Sequence, residues 1–366
     1  MEELLVAPTA MGQNPGGRLG EWAFNVLEIP DVERRNPLLS LGKELLTHYD
    51  LMESLNLSDK RVTNFLRVME TKYDDNPYHC AAHATDVTAN VHFLLQSGFV
   101  RFFSKLEVLV LCIAALGHDL GHFALNNMFL VNSNHPIVQK HGKVSALEHH
   151  HLNEMTEVLE DEECNFLEAL SVSDREKFNS LVKELILATD MSRHRDYFTR
   201  FEEFCKNAQS DWAGTANTSE TEGDRFHNWI EAKIPSVTEE ERTLLLVMVV
   251  KCADVANVVK PLAQSEAWAM RIMNEFYAQG EKEEALGLPK TQMSKSENVQ
   301  YQMAKHQLGF LEHVVGPLFT AMMELADVEN RAVVAKHIKK NADAWKQRVI
   351  ETEAREAEAS LDPGPS

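Results

Sequence analysis

Apolar residues in this chain recur at intervals of three and four along most of its length, while alternation with period two is nearly absent, so the pattern supports α-helix and little else. From Leu38 the stripe runs through Leu45, Leu46, Tyr49, Leu51 and Leu55, then through Val62, Phe65, Leu66 and Met69 behind Ser58, a candidate N-cap. It continues over 87–95, 106–116, 181–189, 197–204, 239–259 and 268–277. The expected fold class is all-α. A chain of 366 residues, 44% of them hydrophobic, has enough apolar material for a large common core. Three breaks in the pattern are expected to be loops: 131–143, 208–224 and 280–298. The Gly- and Pro-rich start and the acidic, Ala-rich end complete the expected organisation: a flexible segment 1–21, a folded domain 22–350 and a frayed tail 351–366.

Charge narrows the partners. Lys and Arg number 36 against 56 Asp and Glu, a net of −20, which argues against a lasting grip on nucleic acid or an anionic membrane. An anionic substrate would need a local positive centre. The longest apolar stretch, 108–117, is too short for direct membrane insertion as a spanning helix. The chain opens Met1-Glu2-Glu3 without the basic start of a signal peptide, and Cys80, Cys112, Cys164, Cys205 and Cys252 form no C-x-x-C pair. A soluble protein of the cytoplasm is expected.

Ten of the sixteen histidines fall between His79 and His151, where an even spread would place about three, so something in that span recruits imidazole. Imidazole is the commonest metal ligand and the natural proton carrier near neutral pH. His79 and His83, four apart, share one helix face. That spacing alone fits ordinary core or surface histidines equally well. A strongly apolar helix then ends on the adjacent pair His118-Asp119, and burying that carboxylate is expensive unless a cation compensates. Asp254 again interrupts an apolar helical run, where a lone acid is most often a hydrogen-bonded structural one. Together, His83, His118, Asp119 and Asp254 supply two nitrogens and two carboxylates, a donor set suited to zinc with positions open for water.

A helical histidine, then His-Asp, then a distant Asp resembles the metal site of the HD superfamily of phosphohydrolases. Tyr78-His79 with His83 and Asp86 is similar to the Y-H-x-x-x-H-x-x-D signature of class I cyclic nucleotide phosphodiesterases. Leu147-Glu148-His149-His150-His151, the segment from Ile186 to Ser192, Cys252-Ala253-Asp254 with Asn257, the segment from Arg271 to Tyr277, and that from Gln307 to Leu311 match the same catalytic domain in order. Asn257 and the 188–192 segment are most similar to the cAMP-type (type 4) enzymes.

The resemblance implies a compact multi-helix catalytic domain that hydrolyses the cyclic phosphodiester of cAMP, with cGMP open as a second substrate, to the nucleoside 5′-monophosphate. It implies Zn2+ on His83, His118, Asp119 and Asp254, and Mg2+ (or Mn2+) bridged through Asp119 and otherwise held by water. His122, Glu148 and Thr189 would hydrogen-bond those waters. Two such ions would activate a bridging water as nucleophile, and His79 would protonate the leaving O3′, with Glu148 a candidate to orient it. Gln307 would bind the purine between Phe310 and Ile272, with Tyr78, Met191 and Asn257 also in the substrate site. The alternatives are another HD-type nucleotide phosphohydrolase and a non-catalytic helical module that binds a cyclic nucleotide. Departures from the family pattern are visible. Gly121 stands where the second motif usually has Asp, with Phe123-Ala124 behind it. Lys251 and Gly316 stand where histidines are found, at positions expected to be peripheral.

Overall fold

The structure is a computed structural model that describes residues 17–29, 36–213, 232–293 and 298–361. Helices account for its regular structure, with no β-strand among the described residues. In chain order they are α1 (Pro37–His48), α2 (Leu51–Ser54), α3 (Asp59–Thr71), α4 (Ala81–Gln96), α5 (Lys105–Gly117), α6 (Asn127–Asn132), α7 (Pro136–His141) and α8 (Ala146–Glu160). The second half adds α9 (Val172–Ala188), α10 (His194–Ala213), α11 (Glu239–Asp254), α12 (Leu262–Ala285), α13 (Val299–Phe310), α14 (Gly316–Met323) and α15 (Val328–Leu361). None of the described helices is long and apolar enough to cross a membrane.

The centre is α5. Every residue from Leu106 to Gly117 is buried, as an all-round apolar helix requires, and α1, α4, α8, α9 and α11 pack around it. Ser104 and Glu107 form a capping box at its start, and the Tyr73 hydroxyl donates to Leu116 O at 3.0 Å near its end. Ser58 caps α3 as expected, accepting from Arg61 N. Asn90 on α4 donates to Ala253 O on α11 at 3.2 Å, which ties the two helices flanking α5.

Several boundaries differ from the sequence expectation. The 131–143 break is mostly helical: Asn126 caps α6 and Pro136 opens α7, but each helix is six residues long, too short to display a period. Helix α10 reaches Ala213 and α12 reaches Ala285, so the expected loops at 208 and 280 start later; 214–231 and 294–297 lie outside the described residues. Helix α15 continues to Leu361, through most of the tail expected to fray, because its Ala- and Glu-rich composition is also good helix-forming composition. Residues 1–16 and 362–366 lie outside the described residues, whereas 17–21 are placed: Leu19 packs on the core, and Gly20 lies so near α4 that a Cβ there would stand 2.3 Å from Gln96 Oε1. Lys251 is not peripheral; it is buried and donates to Ala188 O at 2.7 Å, joining α11 to the end of α9. Gly316 follows a π-helical turn, Leu311–Val315, where a Cβ would fall 2.7 Å from Leu311 O.

The N-terminal segment closes the core from outside. Trp22 Nε1 donates to Val259 O at 3.0 Å, while Lys260 Nζ donates back to Trp22 O at 2.9 Å and lies 4.5 Å from the Trp22 ring centre. Burial pulls the Lys260 ammonium down to about 8 from 10.5, against the opposing pull of Asp86. Between those pH values the unfolded chain holds a proton that the folded chain has released, so this group favours folding increasingly as pH rises. Lys260→Met should therefore abolish a gain of about 3 kcal/mol between pH 8 and 10.5, read as the wild-type-minus-variant difference in urea titrations. A difference that stays flat across that range would contradict the buried charge.

Candidate metal centre and nucleotide site

Three buried helices deliver the metal-type donors. His83 lies in the first turn of α4, His118 caps the end of α5 with Asp119 beside it, and Asp254 is the last residue of α11. His83 Nε2 stands 3.5 Å from Asp119 Oδ2 and 3.2 Å from Asp254 Oδ1; His118 Nε2 stands 3.2 Å and 3.3 Å from the same atoms. Donors about 2.0 to 2.1 Å from a tetrahedral ion are about 3.3 Å apart, so these edges fit such an ion.

Hydrogen bonding supports that fit. His118 Nδ1 lies 2.9 Å from Ala115 O, which can only accept, so Nδ1 carries a proton. That leaves Nε2 to face the carboxylates, where it is buried and has no hydrogen-bond partner. Burial opposes a charged imidazole, yet Asp119 and Asp254 hold His118 well above the ordinary histidine range. Burial likewise opposes both carboxylates, and His118 keeps Asp119 and Asp254 below the usual range. The cluster is thus a focus of negative charge that calls for a cation. Asp119 also forms a second donor group with His122 and His151, its Oδ1 lying 3.8 Å from His151 Nε2. His151 has the same arrangement as His118, with Nδ1 2.7 Å from Leu120 O.

His79 is held by a carboxylate other than the one expected. Glu275 on α12 accepts from Tyr78 N at 2.8 Å, from His79 N at 2.9 Å and from His79 Nδ1 at 2.5 Å. Glu148 instead accepts from Asn127 at 3.0 Å, and burial, followed by the Asp190 charge, raises it to about 7. Burial opposes the charged form of His79, but Glu275 outweighs it and lifts His79 above the ordinary value. The His79 ring stacks on that of His122, with centroids 3.9 Å apart. His122 Nδ1 accepts from Ala124 N at 3.0 Å, so Nε2 is left as its donor. Thr189 caps α9 and donates to Ile186 O at 2.8 Å.

The other expected residues differ in burial and partners. The Tyr78 ring lies 4.5 Å from that of His83, and its hydroxyl accepts from Asn257 Nδ2 at 2.6 Å, which commits one end of the Asn257 amide. Helices α12 and α13 meet through Tyr277 with Gln302 and Phe276 with His306; Ile272 lies on α12 four residues before Phe276, and Phe310 lies on α13 four residues after His306. Gln307 is buried one turn before Phe310, and its side-chain amide makes no hydrogen bond to another described residue. Met191 stands exposed on a 3₁₀ turn, at 42%.

The family described as 3'5'-cyclic nucleotide phosphodiesterase matches residues 78–337. The chain belongs to that family. It is 29% identical over 337 residues to the probable 3',5'-cyclic-AMP phosphodiesterase pde-4 of Caenorhabditis elegans, covering 91% of this chain and 47% of that protein. It is 28% identical over 329 residues to the mouse (Mus musculus) high affinity cAMP-specific and IBMX-insensitive 3',5'-cyclic phosphodiesterase 8A, covering 89% and 38%. The chain therefore spans about half or less of the curated relatives it matches. Among solved structures, the phosphodiesterase domain of the RhoPDE fusion protein from the choanoflagellate Salpingoeca rosetta superposes with a TM-score of 0.77 at 26% identity, covering 92% of this chain and 97% of that one. LmjPDEB1 in complex with IBMX gives 0.75 at 27% identity, covering 92% and 95%.

Residues that sequence reasoning passed over are Glu275 and His151. Glu275 lies in a helix rich in charged residues, where a glutamate looks like surface, and its only signal was its place in a family-like segment. Glu275→Gln should lower the His79 pKa, because burial would then act with less opposition. NMR titration of the His79 ring in the metal-free protein reads this directly, and an unmoved titration would show that Glu275 does not set it.

Proposed function

We propose that this chain hydrolyses the 3′,5′-cyclic phosphodiester of cAMP to the 5′-monophosphate, using zinc on His83, His118, Asp119 and Asp254 and magnesium or manganese bridged through Asp119. The observation that carries this reading is the donor cluster, with edges of 3.2 to 3.5 Å, beside a histidine that precedes α4, whose ring lies 6.0 Å from that of His83 and whose Nδ1 is already engaged by Glu275. When bound, the two ions supply Lewis-acid polarisation of the phosphate and activation of water.

The chain's own residues do the rest. Glu275 raises the His79 pKa against the effect of burial, which favours the protonated ring, and with Nδ1 engaged by Glu275 it is Nε2–H that would donate to the departing O3′ as general acid. His122 and Glu148 would hydrogen-bond water held by the second ion, with Thr189 as a further candidate. Ile272 and Phe310 sandwich the base, and Gln307 reads its edge. Tyr78 and Asn257 brace each other beside the slot, and Met191 borders its entrance. We place the reaction in the cytoplasm, in keeping with five free cysteines.

One observation favours a second substrate. The Gln307 amide has no protein partner among the described residues, so it can present either its donor or its acceptor to a purine. That freedom supports use of cGMP alongside cAMP.

Kinetics and metal analysis on one preparation test the reading. His83→Ala and Asp254→Ala should lose zinc and almost all turnover, whereas His79→Ala should keep its zinc and slow by roughly 10² to 10⁴. Undiminished zinc in either ligand variant, or normal turnover without His79, would overturn the assignment. Gln307→Ala should raise KM for both cyclic nucleotides with little change in unfolding midpoint, and identical saturation curves would remove Gln307 from the base site.

A further inference from the structure

The turn between α5 and α6 carries Asp119 and His122, yet two of its carbonyls, those of Leu120 and Gly121, accept no backbone hydrogen bond among the described residues and are held from α8. His151 Nδ1 lies 2.7 Å from Leu120 O, and His150 Nε2 lies 3.2 Å from Gly121 O. Both carbonyls can only accept, so both nitrogens donate. Consecutive histidines thus grip consecutive peptide groups beside the metal donors.

Gly121 explains how α8 comes so close. Its φ is +70°, and a Cβ there would lie 3.0 Å from His150 Nε2 and 3.3 Å from Glu154 Cγ. The space belonging to a side chain at 121 is therefore filled by His150 and Glu154. The Glu154 carboxylate is 3.8 Å from His150 Nδ1 and 2.5 Å from Nζ of Lys72, the residue that caps the end of α3, in a half-buried pair whose side chains are 20% and 28% exposed. Phe123 stacks on the other side of His150 at 5.0 Å, which fixes the ring plane. The family-like motif ordinarily carries a carboxylate at 121; here Gly121 has none, and α8 brings that of Glu154, whose Cδ would lie 3.8 Å from a Cβ at 121.

We propose that Glu154 and His150 form a clip that positions the Asp119–His122 turn for the second cation, with the Glu154 carboxylate standing in for the side chain Gly121 lacks. Both are positioning residues, acting through the turn. The inference rests on the two-metal reading above. Its physical content is exclusion: a carboxylate fits at 121 or at 154, but the space does not hold both.

Mn2+ titration of zinc-loaded, magnesium-depleted protein by calorimetry tests it without relying on turnover. E154A and E154Q should each weaken Mn2+ about 10-fold or more with zinc content unchanged, the scale expected when an outer partner of a metal ligand is lost. G121D alone should weaken it too, because two carboxylates then compete for one space; Asp tolerates the left-handed backbone better than most residues. G121D/E154A should recover to within about threefold of the parent, a non-additivity that a merely destabilising substitution does not produce. Parent-like Mn2+ affinity in E154Q removes the role of the charge and overturns the proposal, as does a double variant no better than E154A. If the parent itself takes up neither zinc nor Mn2+, the two-metal reading falls and this one with it; a parent that binds both, alongside unaffected variants, sinks the clip alone.

Discussion

Two carboxylates placed at the electronegative ends of buried helices are the constraint around which the rest of the molecule is organised. Asp254 ends α11 and Asp119 follows the last turn of α5, so each sits where the helix dipole is least hospitable to negative charge. Both approach the same nitrogen, His118 Nε2, within 3.3 Å. Such crowding is tolerable only with positive charge between them, which a divalent ion supplies in a way no packing of apolar groups can. The surrounding ties hold those helix ends in register: Tyr73 on Leu116 O, Asn90 on Ala253 O and Lys251 on Ala188 O.

A second centre of organisation is Glu275. One buried carboxylate gathers two backbone N–H groups and an imidazole from the segment just before α4, and so joins α12 to the helix that bears His83. The residue that would hand over a proton and the residues that would bind the base are thereby mounted on a common support, since Ile272 lies on α12 and Phe310 on α13, which meets it through Phe276 and His306. Trp268 adds to this joint, with Tyr78 and His83 packed edge-on against it at 5.5 and 5.9 Å. Chemistry and recognition are coupled through packing rather than through loops.

Legibility from sequence followed how unusual each residue was in its local setting. His118, Asp119 and Asp254 stood out because polar groups ended or interrupted runs of apolar helix, and that misfit survives in the structure as a cluster of buried charge. Glu275 gave no such contrast, lying among other charged residues, and its role came from a contact 196 residues away in sequence. Glu148 is a candidate from its residue type to orient either His79 or a metal-bound water; in the structure Glu275 holds His79, and Asn127 of α6 donates to Glu148 of α8. Short helices at 127–141 escaped notice since six residues show fewer than two periods.

What the linear chain determined by itself was the kind of element and the kind of chemistry. Periodicity requires helices, buried acids require compensation, and histidine with aspartate is a donor set for a divalent ion. What only the tertiary structure decided was partnership: which carboxylate holds His79, which histidines grip the turn behind Asp119, and whose side chain fills the space beside Gly121. The reason is physical. Local pattern reflects the period of the backbone and the solvent preference of single side chains, whereas a hydrogen-bond partner is chosen by the crossing of helices far apart in sequence.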